Sequence, residues 1–68
     1  MRYAIVIEEC AAGYEARVLD FPDCVVTGSS AAEARRLIDK CIQDRVRTMR
    51  DTETPLPKPK ALVDYVDV

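Results

Sequence analysis

Histidine and tryptophan are absent from this 68-residue sequence, phenylalanine occurs only once, and glycine occurs only twice. Without histidine, the chain has no imidazole for Ser-His-Asp or Cys-His catalysis, for zinc binding, or for proton transfer near neutral pH. So few aromatic side chains leave little surface for stacking on nucleic-acid bases or sugars. Two glycines are also too few for a Gly-rich phosphate-binding loop. The sequence therefore excludes the histidine-dependent enzymes and argues against nucleotide-binding folds.

The three cysteines are odd in number and form no C-x-x-C pair; they are Cys10, Cys24 and Cys41. Disulfide frameworks and zinc sites need paired or clustered cysteines. We therefore interpret these residues as small apolar side chains in a reducing compartment, with Cys10 near enough to a turn to be accessible. The sequence has no charged-then-apolar leader, and its longest apolar run, residues 4–7, is far too short to cross a bilayer. These features predict a cytoplasmic protein that has no membrane span.

The chain length leaves room for one domain, residues 1–68. A core of this size supplies only about 3–5 kcal/mol of stability. Since neither a disulfide nor a metal ion is expected to add to that stability, we expect the chain to associate with a partner or with further copies of itself.

Charge is distributed unevenly around a net value of −2. Residues 31–51 carry an excess of two positive charges, and the remaining residues carry an excess of four negative charges. A net acidic chain has no long-range attraction to nucleic acid, because phosphate neutralisation dominates that affinity. The acidic part is either ordinary solvated surface or a surface that attracts a basic protein partner.

Hydrophobic periodicity predicts four strands and one helix. Alternation and β-branched residues favour strands at about 2–9, 14–20, 24–27 and 61–67, with a turn at Gly13 and a break at residues 21–23. Apolar residues at helical spacing predict a helix over 31–51, with Ser30 as the N-cap and Glu33 at the capping-box position. Alternating prolines in residues 52–60 predict an extended connector.

This order predicts an α+β fold of the type β-β-β-α-β. The first three strands form an antiparallel meander, the helix covers one face, and the last strand returns parallel to the first. The opposite face, near Ala4 and Val6, is then an uncovered apolar surface. We interpret these two residues as part of the interface of a homodimer or higher homo-oligomer.

A two-metal nuclease is the strongest enzymatic alternative, because the strand order is the one that opens a ribonuclease H fold. Such chemistry needs several carboxylates that converge from separate elements. The candidates are Glu8 or Glu9, then Asp39, then Asp64 or Asp67. The chain is less than half the size that this nuclease needs, so we predict no catalytic residue, no metal and no cofactor.

Several short motifs together resemble the N-terminal domain of the HicB antitoxin family. That family usually shows G-Y, L-P-G-C, a glycine before the helix, an E-A pair and a Pro-x-Pro connector before the final strand. The matching residues here are Gly13-Tyr14, Phe21-Pro22-Asp23-Cys24, Gly28, Glu33-Ala34 and Pro55 to Pro59. Asp23 stands where the family usually has glycine. The resemblance covers essentially the whole chain.

The resemblance implies a partial ribonuclease H-like fold without nuclease activity and a role as a type II antitoxin. The implied partner is a HicA-like toxin, a small basic ribonuclease that cleaves mRNA and whose catalytic surface the antitoxin occludes. Among the acidic residues, we predict the toxin contacts at Asp20, Asp23, Asp64 and Asp67. Many HicB proteins bind operator DNA through a further C-terminal segment, which does not follow the last predicted strand, so operator binding is not expected of these residues. The alternative is a stand-alone HicB-like oligomeric binding or scaffold module without a toxin.

Overall fold

The computed structural model describes all 68 residues and shows three strands followed by one helix. The elements are β1 (Ile5–Cys10), β2 (Gly13–Val18), β3 (Phe21–Gly28) and α1 (Ala31–Asp51). The strands form one antiparallel sheet in the order β1-β2-β3. The α+β class and the predicted meander are therefore confirmed.

A two-residue loop joins β1 to β2. Cys10 pairs with Gly13 across the loop, and Gly13 has a φ of +130°. This backbone conformation is one that side chains with a Cβ rarely adopt, so glycine is required where the second strand begins. The turn predicted at Gly13 is confirmed, and β2 begins there rather than at residue 14.

The third strand is longer than predicted, which corrects the range 24–27. It begins at Phe21, because residues 19–20 form a tight turn that pairs Phe21 with Val18. Pro22 is tolerated inside the strand because β3 lies at the edge of the sheet, where a missing N–H removes no ladder bond. The register shifts between Arg17 and Val18, so Pro22, Asp23 and Cys24 form an irregularity opposite β2.

The core lies between the helix and one face of the sheet. Tyr3 from the approach to β1 packs edge-to-face on Phe21, with ring centroids 5.0 Å apart. Ile5 and Ile7 pack against the same cluster, as their alternation predicts. The buried apolar side chains come from β2, β3 and α1; they are Ala16, Val18, Phe21, Cys24, Ala34 and Ile38.

The helix has the predicted bounds and the predicted N-terminal cap. The Glu33 N–H donates to Ser30 Oγ at 3.1 Å, and the Ser29 N–H donates to Glu33 Oε1 at 2.9 Å. The Glu33 carboxylate thus accepts from the N–H of Ser29, which precedes the N-cap residue Ser30. Gly28 lets the first turn of the helix approach β3 closely, since a Cβ there would lie 2.8 Å from the Ala34 nitrogen.

The uncovered face of the sheet is less apolar than predicted. Arg17 lies in its middle strand and binds Glu8 at 2.5 Å, with Glu15 at 3.6 Å. Ala4 and Val6 are half-buried and lie on this face because side chains alternate along a strand. Val25 of β3 pairs with Arg17 of β2. The interpretation of an apolar face is therefore wrong for its charged centre, where Arg17 lies opposite Val6, and Ala4 and Val6 form only a small apolar strip beside that centre.

The strand predicted at 61–67 does not form, and no strand lies parallel to β1. Residues 54–68 contain neither helix nor strand. Asp64 and Asp67 have opposite parity, so neither face of an extended segment would be wholly apolar. The segment also pairs with no strand of its own chain, and an extended segment is not stable without such pairing.

Candidate interaction surfaces

The outer edge of β1 exposes unpaired backbone groups. The Leu19 N–H donates to the Ala4 carbonyl at 3.0 Å, which sets the phase of the ladder between β1 and β2. In an antiparallel ladder, alternate residues bond to the neighbour, so residues 6, 8 and 10 face β2. The N–H and C=O groups of Ile5, Ile7 and Glu9 therefore point away from the sheet. Such an edge is a template for a further strand.

A groove of about 300 Å³ lies between this edge and the helix. Its apolar lining includes Ile5 from β1, Ile42 from the helix and Leu56 from the connector. Arg35, Asp39 and Arg50 also line it. The groove therefore joins an apolar surface and two cationic side chains to an open strand edge.

Residues 61–68, here called the terminal segment, carry most of the exposed large apolar side chains. Five of the seven such residues lie in it; they are Leu62, Val63, Tyr65, Val66 and Val68. Leu62 is 92% exposed and Val66 is 87% exposed. Exposed apolar side chains in this number mark an association surface.

The connector holds the base of the terminal segment in a defined place. The Tyr3 hydroxyl donates to the Pro57 carbonyl at 2.6 Å. Farther along, the Lys60 and Ala61 N–H groups donate to the Asp20 carboxylate at 3.2 and 3.4 Å. The chain thus passes the start of β1 and reaches the turn between β2 and β3 before the terminal segment begins.

The four predicted acidic contacts have different surroundings. Asp20 binds the backbone of the connector, whereas Asp23 forms an ion pair with Arg45 of the helix. Asp64 accepts a hydrogen bond only from the adjacent Tyr65 N–H, at 2.8 Å, and Asp67 forms no ion pair. Asp64 and Asp67 therefore keep their charge available on the exposed terminal segment.

The Asp23–Arg45 pair shifts both ionisations. The hydrogen bond from Arg45 lowers the pKa of Asp23, and the same bond raises the pKa of Arg45. Both side chains are solvent-exposed, so their contribution to stability is small. Because the pKa of Asp23 is lowered by folding, the stabilisation is present above the ordinary value of 3.8 and is lost as the pH falls through the folded value.

The structure does not bring the nuclease candidates together. No three His, Cys, Asp or Glu side chains form a group able to hold a metal ion. Glu8 binds Arg17 on the open face of the sheet, and Asp39 accepts a hydrogen bond from Gln43 on the helix at 3.5 Å. Asp64 lies on the exposed terminal segment.

The cysteines are all free, and they differ in burial. Cys24 is buried, Cys41 is half-buried and Cys10 is exposed, as the position of Cys10 beside the turn predicts. Burial raises the pKa of Cys24 to about 11, and the neighbouring Cys41 contributes to that shift. The Cys24 thiol is therefore neutral and part of the core at physiological pH.

Sequence reasoning missed two long-range polar contacts. Nothing in the local sequence signals that Arg45 pairs with Asp23, 22 residues away. The contact between the Tyr3 hydroxyl and the connector depends on where the connector returns to the sheet. The buried ring with a polar tip is the one available signal, since such tyrosines usually find a partner.

Comparisons with protein-family models, with curated proteins and with solved structures find no match. No helix in the structure has the length and apolar character needed to cross a membrane.

Proposed function

We propose that this chain is a non-catalytic antitoxin that binds a HicA-like toxin and covers its mRNA-cleaving surface. The observation that carries the proposal is the exposed terminal segment, in which Asp64 and Asp67 lie among apolar side chains. Apolar contacts of this kind slow dissociation, and unpaired acidic side chains speed the approach of a basic partner. The absence of histidine argues against an imidazole-dependent reaction of its own.

The residues that carry the motif resemblance have structural roles in this fold, and these roles support the same proposal. Gly13 and Gly28 lie where a Cβ would collide with neighbouring backbone, at the start of β2 and below the helix. Glu33 closes the N-terminal cap, and Ala34 is fully buried beside Gly28. These motif residues therefore each have a structural role in the unit formed by the three-stranded meander and the helix. We further propose that this unit takes the partial ribonuclease H-like arrangement once a terminal segment is added as a fourth strand beside β1, and that it acts in the cytoplasm.

The contact surface is best tested with matched charge variants. We propose toxin contacts at Asp20, Asp23, Asp64 and Asp67, with Asp64 and Asp67 contributing most to attraction because their charges are not engaged by cations within the chain. The test is co-expression with a HicA-like toxin, followed by co-purification and stopped-flow association. The Asp64→Asn/Asp67→Asn variant should associate more slowly than the parent, and its rate should depend less on salt.

The control removes two charges elsewhere. Asp51→Asn/Glu53→Gln lies at the end of the helix, where both side chains are exposed and form no ion pair. It should associate like the parent. If the toxin does not co-purify and keeps its ribonuclease activity beside the parent chain, the antitoxin proposal is wrong.

A stand-alone oligomeric module is the second candidate. The free edge of β1 and the exposed terminal segment favour it, because both features allow self-association without any toxin. A neighbouring gene for a small basic protein would support the antitoxin, and its absence would support the stand-alone module.

A further inference from the structure

We infer that the terminal segment of a second copy of this chain fills the groove beside β1 and adds a strand to its open edge. Two copies related by a two-fold axis would exchange these segments reciprocally. This inference concerns the assembly of the chain itself. It uses the same terminal segment as the proposed toxin contact, but Asp64 and Asp67 have opposite parity, so one of the two carboxylates points away from the groove in either register.

The backbone of β1 provides the first part of the argument. Ile5, Ile7 and Glu9 present three N–H and three C=O groups outward, as derived above from the ladder phase. Strand addition satisfies such groups with main-chain hydrogen bonds, while pockets beside the edge receive alternate side chains. Ile5 belongs both to this edge and to the lining of the groove, so the edge and the pocket form one continuous surface.

The composition of the terminal segment matches the groove. When the segment is extended, one parity places Leu62, Val66 and Val68 together with Asp64, and the other places Ala61, Val63 and Tyr65 together with Asp67. Either parity therefore offers three apolar side chains and one carboxylate. The groove offers an apolar lining with Arg35 and Arg50 against the single carboxylate of Asp39, so the charged lining keeps one net positive charge for the carboxylate that either parity brings.

The path of the connector favours a second copy over the same chain. Asp20, which holds Ala61, lies in the turn between β2 and β3, on the far side of β1 from the open edge. Strands are spaced about 4.8 Å apart, so the open edge is roughly 10–12 Å from this anchor. At about 3.3 Å per residue, the crossing would use three or four of the seven residues that follow Ala61. Too few would remain to pair with the six residues of β1.

A neighbouring molecule has no such crossing to make. Its terminal segment is exposed over its whole length after Ala61, while its own Asp20 bonds and Tyr3 contact stay intact. The alternating prolines of the connector stiffen it and keep the segment extended away from its own β1. Exchange between copies therefore preserves the contacts that Tyr3 and Asp20 make with the connector and with Ala61.

Amide hydrogen exchange and sedimentation of the 68-residue chain test this inference. We expect a dimer whose Ile5, Ile7 and Glu9 amides are protected, with protection that decreases on dilution. In a sample mixed from labelled and unlabelled chains, isotope-filtered NOEs should connect the side chains of β1 with those of residues 62–68. Protection that is independent of concentration in a monomer would mean that the segment folds onto its own chain and would overturn the inference, as would a lack of protection.

Paired variants separate the backbone contribution from the side-chain contribution. Tyr65→Pro/Val66→Pro removes two adjacent N–H groups, so one that faces β1 is lost in either register. Tyr65→Thr/Val66→Thr removes similar apolar surface but keeps both N–H groups and a β-branched shape. The proline variant should sediment as a monomer at concentrations where the parent is a dimer, and the threonine variant should retain measurable dimer.

Circular dichroism provides the check on folding for both variants. The helix signal should be unchanged, because both positions are exposed in the single chain. A proline variant that dimerises like the parent would show that the copies associate through another surface, such as the face near Ala4 and Val6, and would overturn the inference.

Discussion

The contact between Gly28 and the first turn of the helix predicts a large effect of adding one methyl group. In Gly28→Ala, the new Cβ would lie 2.8 Å from the Ala34 nitrogen and 3.2 Å from the Ala34 Cα and the Glu33 carbonyl carbon. All three neighbours are backbone atoms, so no side-chain rotation relieves the collision. The φ of Gly28 is not positive, and the effect is therefore steric rather than conformational.

The magnitude follows from how much the helix has to move. Inserting a methyl group into a packed contact that cannot relax costs about 1–3 kcal/mol. The whole domain is stable by only about 3–5 kcal/mol, so Gly28→Ala should remove between a fifth and all of the free energy of unfolding. For a chain of this length, each kcal/mol lowers Tm by about 4–8 °C.

Urea unfolding followed by circular dichroism at the helix band measures this loss. Ser29→Ala is the matched control, because Ser29 is exposed and its side chain makes no hydrogen bond, so it should change the free energy of unfolding by less than about 0.5 kcal/mol. If Gly28→Ala is as stable as this control, the close approach of β3 and α1 is not as described, and the explanation for this glycine fails.

Three further perturbations probe the cap, the core and the buried thiol. Ser30→Ala should cost about 1 kcal/mol in urea unfolding through loss of the N-cap bond, and a neutral result would contradict the capping geometry. Ile5→Asp puts an uncompensated charge against the core, costs about 3 kcal/mol or more, and should abolish the cooperative melt; a native-like melt would show that β1 does not pack as described. Because the pKa of Cys24 is raised from 9.0 to about 11 in the folded chain, its contribution to stability is complete below pH 9 and is lost as the pH rises through about 11. A thiol reagent at neutral pH should modify Cys10 at once and Cys24 only on unfolding, and equal rates would contradict the burial of Cys24.

The local features of the fold were predictable from the sequence. The helix bounds follow from Ser30 and Glu33 at one end and from unbroken apolar spacing to residue 51. The first hairpin follows from Gly13. These signals operate within a few residues, where propensity and capping decide the structure.

The errors arise where the structure depends on distant neighbours. Pro22 was interpreted as a break, but β3 is an edge strand in which a missing N–H is harmless. The strand predicted at 61–67 has the residues of a strand but does not pair with the open edge of β1 in its own chain. The ion pairs of Arg17 and Arg45 depend on register and packing, which the order of residues does not reveal.

The most direct test of the proposed function is the residual mRNA cleavage by a purified HicA-like toxin as increasing amounts of this chain are added. We predict that cleavage falls in proportion to the added chain and ceases at a fixed molar ratio, and that the Asp64→Asn/Asp67→Asn variant inhibits less well at low salt. Undiminished cleavage at a large excess of the folded parent chain would contradict the account.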